Sequence, residues 1–200
     1  IAKTWDVPGS GMSMAFLCND TTGVMYMEDT VSSNKEYSWS IAGGPDSTGW
    51  IHYVFTFDGT DTGDPLIIYE NGSALSPTKT IDDTGTWTMD TTAHVSVGSV
   101  VGFSTWPTEN NTLYGFQGRV HSVFMWDDLL TADEVTVLYN SGDGRTVNLD
   151  RNRGDYVSSA DLVLWNRLGL DPDNYGRDYS GSGIDLTEEH SADRVLNSPG

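Results

Sequence analysis

The 200-residue chain has a single cysteine, Cys18, so no internal disulfide can form. Its fold needs no disulfide staple, since a chain of this length can hide most of the surface its unfolded form exposes. Cys18 lies in the apolar run MSMAFLC and reads as a small buried hydrophobe. Basic residues are also scarce, 10 against 29 acids, for a net charge of −19. The field of such a chain repels nucleic acid and anionic membrane, so neither is an expected partner. No apolar run approaches the roughly 20 residues of a spanning helix, so no membrane insertion is expected. The chain opens on Ile1-Ala2-Lys3 and not on Met, which predicts a fragment or a processed product.

What is present is the texture of an all-β chain: short apolar runs separated by Gly, Thr, Ser and Asn. Strands are predicted over 12–18, 24–27 and 37–41, the last closed by the turn sequence Gly43-Gly44-Pro45-Asp46. The clearest strand is WIHYVFTFD (50–58). Ile51, Tyr53, Phe55 and Phe57 share one face, and Trp50, His52, Val54 and Thr56 the other. Apolar bulk on both faces predicts a central strand. Leu66–Glu70 follows, then Asn71-Gly72, a two-residue hairpin signal because both positions tolerate positive φ. A return strand is predicted near 76–81, and further strands over 95–103 and 116–126.

One short helix is predicted near 131–141. Thr131-Ala-Asp-Glu134 is a capping box, Val135, Leu138 and Tyr139 give a buried stripe, and Gly142 stands where a C-terminal glycine belongs. Residues 145–160 (RTVNLDRNRGDYVSSA) are polar and charged, carry Arg145, Arg151 and Arg153, and read as a connector or peripheral segment. LVLWNRL (162–168) is a last strand, followed by a turn-rich stretch.

Three of these pieces together resemble the laminin-G-like, concanavalin A-like family. They are WIHYVFTFDG (50–59), LIIYENG (66–72) and FQGRVHSVFMWDDLLTADEVTVLYNSG (116–142). In that family a Trp-x-His strand ends in Asp-Gly, a Tyr-x-Asn-Gly strand follows, and a Phe-x-Gly strand leads to a Trp, a capped helix and a glycine. LVLWNRLG (162–169) with DYSGSGIDLT (178–187) is similar to what usually opens such a domain, yet here it comes last. Either the tail completes the same sandwich or it opens a second copy. The resemblance implies an antiparallel two-sheet jelly-roll sandwich with one short helix. The expected division is a sandwich over 1–144, its N-terminus incomplete, and an extension over 145–200 that completes it or contacts a neighbouring subunit.

Fold does not fix function, since this one hosts lectins, adhesion modules, hydrolases and viral coat components. A hydrolase on this fold needs carboxylates alternating along one cleft-facing strand. The acidic pairs here, such as Asp127-Asp128, are adjacent, so in a strand they would point to opposite faces. The four histidines are scattered, and His52 and His121 are expected to pack or bond locally within strands. No enzyme is expected. The first expectation, on resemblance, is a surface-exposed binding or structural module of a phage or viral particle, contacting other virion or surface proteins. The alternative is a free-standing extracellular lectin that binds glycans, with or without calcium. For a sugar site the candidates are Trp106, Glu109, Asn110 and Asn111, because an aromatic face beside polar side chains suits a sugar ring. For calcium they are Asp58, Asp61 and Asp64, three carboxylates in one loop, with Asp171 and Asp173 as a weaker pair. Trp50, Trp126 and Trp165 fall in apolar strands and are expected in the core.

Overall fold

The computed structural model describes residues 2–3, 13–18, 22–28, 34–40, 49–58, 66–82, 95–97, 119–143, 147–168 and 174–187. In chain order the elements are β1 (Ala2–Lys3), β2 (Ser13–Cys18), β3 (Thr22–Glu28), β4 (Asn34–Ser40), β5 (Tyr53–Phe57), β6 (Leu66–Glu70), β7 (Ser73–Ala74), β8 (Thr78–Asp82), β9 (Val95–Ser96), β10 (Val123–Trp126), α1 (Ala132–Tyr139) and β11 (Leu162–Asn166). Two 3-10 turns lie at Asn140–Gly142 and Ser159–Asp161. The described part of the chain is thus β-rich with one short helix, and its paired strands are antiparallel. It divides into two compact units, one of Ile1–Gly49, Gly59–Pro65 and Leu75–Gly118, the other of Trp50–Asp58, Leu66–Ala74 and Arg119–Gly200.

The first unit holds a six-stranded sheet in the order β8-β4-β3-β2-β1-β9. Its middle is a meander: β2 pairs with β3 from Ser13↔Glu28 to Cys18↔Gly23, and β3 with β4 from Thr22↔Ser40 to Glu28↔Asn34. Met25 on β3 is buried. A shift of one residue would turn it to the opposite face, so the apolar pattern fixes the register.

The second unit holds a three-stranded sheet, β5-β6-β7, and a two-stranded one, β10-β11. β5 pairs with β6 from Tyr53↔Glu70 to Phe57↔Leu66. Among the described residues β5 pairs with β6 alone and β6 is the middle strand, where the sequence predicted a central β5. Two apolar faces report side-chain burial, not ladder partners on both edges. On β5 part of that bulk is ring packing, with Tyr53 and Phe55 stacked at 6.1 Å.

Asn71 and Gly72 form the expected tight turn, both with positive φ (51° and 79°). A Cβ on Gly72 would lie 3.0 Å from the Tyr139 ring, so the turn also needs glycine for space. The return strand is shorter than predicted. Only Ser73–Ala74 pairs back on β6, and β8 pairs with β4 of the six-stranded sheet. Pro77 stands between β7 and β8, where its missing N–H interrupts a ladder.

The core of the second unit joins Val54 and Tyr69 from β5 and β6, Val135 from α1, and Leu162 and Trp165 from β11. Val147, Leu149 and Tyr156 belong to the same cluster. The segment 145–160, read from its polarity as a connector, therefore places three side chains in the core. Burial of Leu149 alone is worth about 1.5–3 kcal/mol. The apolar residues there are outnumbered by polar ones, so composition hides them. β11 pairs with β10 from Val123↔Asn166 to Trp126↔Leu162, with an irregularity between Met125 and Trp126.

Helix α1 begins as its sequence dictates. Thr131 is extended and caps the Glu134 amide, while the Glu134 side chain reaches back to the Thr131 N–H. It ends two residues earlier than Gly142 suggested, at Asn140, whose φ of 48° puts the cap in the left-handed region. Gly142 follows with φ 82°.

Candidate functional site

Trp106, Glu109, Asn110 and Asn111 lie outside the described residues, as do Asp61, Asp64, Asp171 and Asp173. Asp58 is exposed just after β5. Among the described residues no three His, Cys, Asp or Glu side chains are grouped so as to hold a metal ion. Of the three tryptophans expected in the core, Trp165 is buried and Trp126 half-buried, with its indole N–H donating to Tyr156 Oη at 3.1 Å. Trp50 departs from expectation, with 38% of its surface exposed. It precedes β5, not within it, and meets the edge of the His121 ring at 6.1 Å. The segment 119–122 is likewise outside β10, so His121 is not a strand residue; its Nδ1 meets Ser122 Oγ at 2.8 Å.

Among the described residues of this unit two carboxylates are buried, and each is surrounded by donors. Glu134 is 1% exposed. Its Oε1 accepts from the Val157 N–H at 3.1 Å, the Ser158 N–H at 3.0 Å and the Ser158 hydroxyl. Its Oε2 accepts from the Thr131 N–H at 2.9 Å and the Thr131 hydroxyl at 3.0 Å. Burial pushes the pKa up, but the bonds from Ser158, Thr131 and Val157 outweigh it and hold the carboxyl below its ordinary value. The capping box in the sequence signals the Thr131 half of this clasp. The Ser158 half joins residues 24 apart and has no local signature.

The second buried carboxylate is Asp178, at the start of DYSGSGID (178–185). Its Oδ1 accepts from the Trp165 and Ser180 N–H groups, each at 2.9 Å. Its Oδ2 accepts from the Ser180 hydroxyl at 2.8 Å and the Ile184 N–H at 3.2 Å. Burial again raises the pKa, and the bonds from Trp165, Ser180 and Ile184 overcome it to leave the group depressed. Asp185 accepts from the Asp178 N–H at 2.8 Å and from Asn174 Nδ2 at 3.0 Å. The Gly176 carbonyl accepts from the Leu186 N–H at 2.8 Å and from the buried Asn166 side chain. These groups tie the turn-rich stretch to β11. Their oxygens face N–H and O–H donors, which leaves them poorly disposed to a cation.

Cationic and aromatic side chains gather around Tyr179, whose ring centroid lies 5.8 Å from that of Trp165. Arg167 lies 5.9 Å from the Trp165 ring and 5.5 Å from the Tyr179 ring, and Arg177 lies 5.2 Å from Tyr179. Burial, then the Arg167 charge, lowers the His121 pKa, and burial lowers that of His52. His52 stacks on Tyr139 at 6.1 Å, with its backbone holding Asn71 on both sides. In both rings the surroundings therefore favour the neutral form. An open cleft of about 270 Å³ lies elsewhere in the unit, between the C-terminal end of α1 (Asn140, Ser141) and Arg153–Asp155.

Comparison with family models, with curated proteins and with solved structures finds no match to this chain.

Proposed function

We propose that the chain is a non-enzymatic interaction module, a jelly-roll sandwich of the concanavalin A-like kind carried at the surface of a larger assembly such as a virion. The observation that supports this is the occupation of the two carboxylates buried among the described residues. General acid or nucleophilic catalysis needs a carboxyl group open to a substrate on a cleft wall. Glu134 and Asp178 are instead saturated by donors from their own chain, and both stay ionised at pH 7. They brace backbone, so the unit presents its loops on a rigid base.

The test combines two measurements on the purified chain. Sedimentation velocity, alone and with the proteins of its parent particle, is expected to give stable complexes. A glycan array read with and without chelator, followed by analysis for released sugar, is expected to give no turnover. Sugar release would overturn the reading. Chelator-sensitive glycan binding by a chain that joins no assembly would replace it with the lectin reading, and Trp106→Ala would then locate the site.

A further inference from the structure

The segment 151–158 contains a turn whose anchors are buried and whose tip is bare. Arg153 and Tyr156 exchange both backbone hydrogen bonds, at 2.8 and 3.0 Å, and so leave Gly154 and Asp155 as a two-residue tip. Gly154 sits at φ 57°, the left-handed region that such tips require. The flanks are fixed at several points. Tyr156 is fully buried, and its hydroxyl donates to the Leu149 carbonyl at 3.1 Å. Val157 and Ser158 are held by Glu134. Asn152 Oδ1 accepts from the Ser159 N–H and hydroxyl at 3.2 and 2.7 Å.

Against this fixed frame Arg153, Gly154 and Asp155 are all exposed. Among the described residues neither charged side chain makes a hydrogen bond or an ion pair. The turn forms one wall of the open cleft beside Asn140 and Ser141, which leaves room for a partner's side chains. In a chain with 29 acids and 10 bases, an exposed cation and anion separated by one glycine on a braced turn is a local departure. A partner that sought negative charge would find it over the rest of the molecule. What this turn adds is a guanidinium and a carboxylate at fixed spacing. The guanidinium suits a carboxylate in bidentate contact. The aspartate suits a hard divalent cation with an open coordination position. Because the backbone is already ordered, little conformational entropy is lost when the turn docks.

We infer that Arg153–Gly154–Asp155 is an adhesive turn. It docks on a cell-surface receptor whose pocket pairs an acidic side chain with Arg153 and whose bound magnesium takes the Asp155 carboxylate. The inference rests on the reading of the chain as an interaction module and names its partner by chemistry.

The test is attachment of adherent animal cells to the immobilised full chain. Attachment is expected in magnesium and lost on chelation. Soluble Arg-Gly-Asp-Ser peptide competes, and Arg-Gly-Glu-Ser does not. Asp155→Glu keeps the charge but lengthens the side chain, and Arg153→Lys removes the fork. Each lowers attachment roughly thirtyfold or more. Both positions are exposed, so circular dichroism and the melting temperature stay at the parent values. Asp150→Glu, an exposed neighbour outside the tip, leaves attachment unchanged. Attachment undiminished in Asp155→Glu, or absent from the parent chain in magnesium, overturns the inference. A chain that fails in this way yet still joins its parent particle keeps its role as an interaction module and loses only this turn.

Discussion

The regions around Glu134 and Asp178 use the same device on different scaffolds. Each buries a carboxylate and surrounds it with N–H and O–H donors. At Glu134 the carboxylate is held on a helix and reaches to a loop segment 24 residues on. At Asp178 it is held on a turn, and its partners run back 13 residues to β11 and forward 6 to Ile184. The first joins segments distant in sequence; the second shapes one loop and fastens it to its neighbouring strand. A helix supplies a rigid base from which a single carboxylate can reach far. A turn has no such base, so Asp185, Asn166 and Gly176 share the task.

Deleting the long-range clasp is therefore the most damaging change. Glu134→Ala leaves the Val157 and Ser158 N–H groups without their acceptor, and a buried unsatisfied donor costs about 1–3 kcal/mol. A loss of roughly 4 kcal/mol is expected in urea unfolding, with exchange protection lost first at 157 and 158. A loss under about 1 kcal/mol would mean that water replaces the carboxylate without penalty. On the other side of the comparison the weak point is steric. A Cβ on Gly176 would fall 1.7 Å from the Leu186 carbonyl oxygen, which is backbone and cannot rotate away. Gly176→Ala is expected to cost about 3 kcal/mol and to release the loop while β10 and β11 stay paired. Amide exchange at 176–186 against 162–166 reads that difference.

Amide substitutions then separate the two clasps. In Asp178→Asn the new NH2 can replace Oδ2, where the Ser180 hydroxyl can turn to accept and the Ile184 bond is already long at 3.2 Å. In Glu134→Gln either orientation sets an NH2 against a backbone N–H, of Thr131 or of Val157 and Ser158. Stability losses of about 2 kcal/mol for Asp178→Asn and a larger one for Glu134→Gln are expected. The reverse order would show that the helix end shifts more freely than the loop. Acid probes the same carboxylates in the unaltered chain. Both have folded pKa values below their ordinary ones, so between those values the unfolded state binds more protons. Their contribution is complete above the ordinary carboxylate range and is lost as pH falls through the folded values. Unfolding midpoints from pH 7 to pH 2 should drop below about pH 4.5, with a shallower drop in either amide variant.

The sequence made one side of this comparison more legible than the other. Thr131-x-x-Glu134 before an apolar stripe announces a helix start because both hydrogen bonds are local. Asn71-Gly72 announces its hairpin for the same reason. Ser158 as the third partner of Glu134 was invisible, since nothing near residue 158 encodes a carboxylate arriving from residue 134. Val147, Leu149 and Tyr156 were missed because a period-two pair and a lone tyrosine among polar residues do not stand out from a loop. The split of the return strand into β7 and β8 hinged on Pro77, which was present to be read but carried no indication of which strand β8 would join. The pairing of β11 with β10 had no local signature either, because long-range register sets it. The candidate sugar and calcium residues rested on residue type in loops, where position depends on tertiary contacts that a local pattern does not encode.

The smallest expected effect is at Thr131. Its hydroxyl donates to Glu134 Oε2 and accepts from the Glu134 N–H at 3.3 Å, while its own N–H bonds the same carboxylate independently of the side chain. Thr131 is exposed, so in Thr131→Ala water can reach both positions. The cost is expected near 1 kcal/mol, that of a lost N-cap, and not the several expected for Glu134 itself. Combining it with Ser158→Ala makes a double-mutant cycle through one carboxylate. If Glu134 is a rigid post, the two halves act separately and the losses add. If it is positioned by a balance of pulls from both sides, removing one lets it move toward the other, and a coupling above about 0.5 kcal/mol appears. The same cycle with Ser180→Ala in place of Ser158→Ala should give no coupling, because Ser180 serves the other clasp, and any that appeared would join the two regions in a single network.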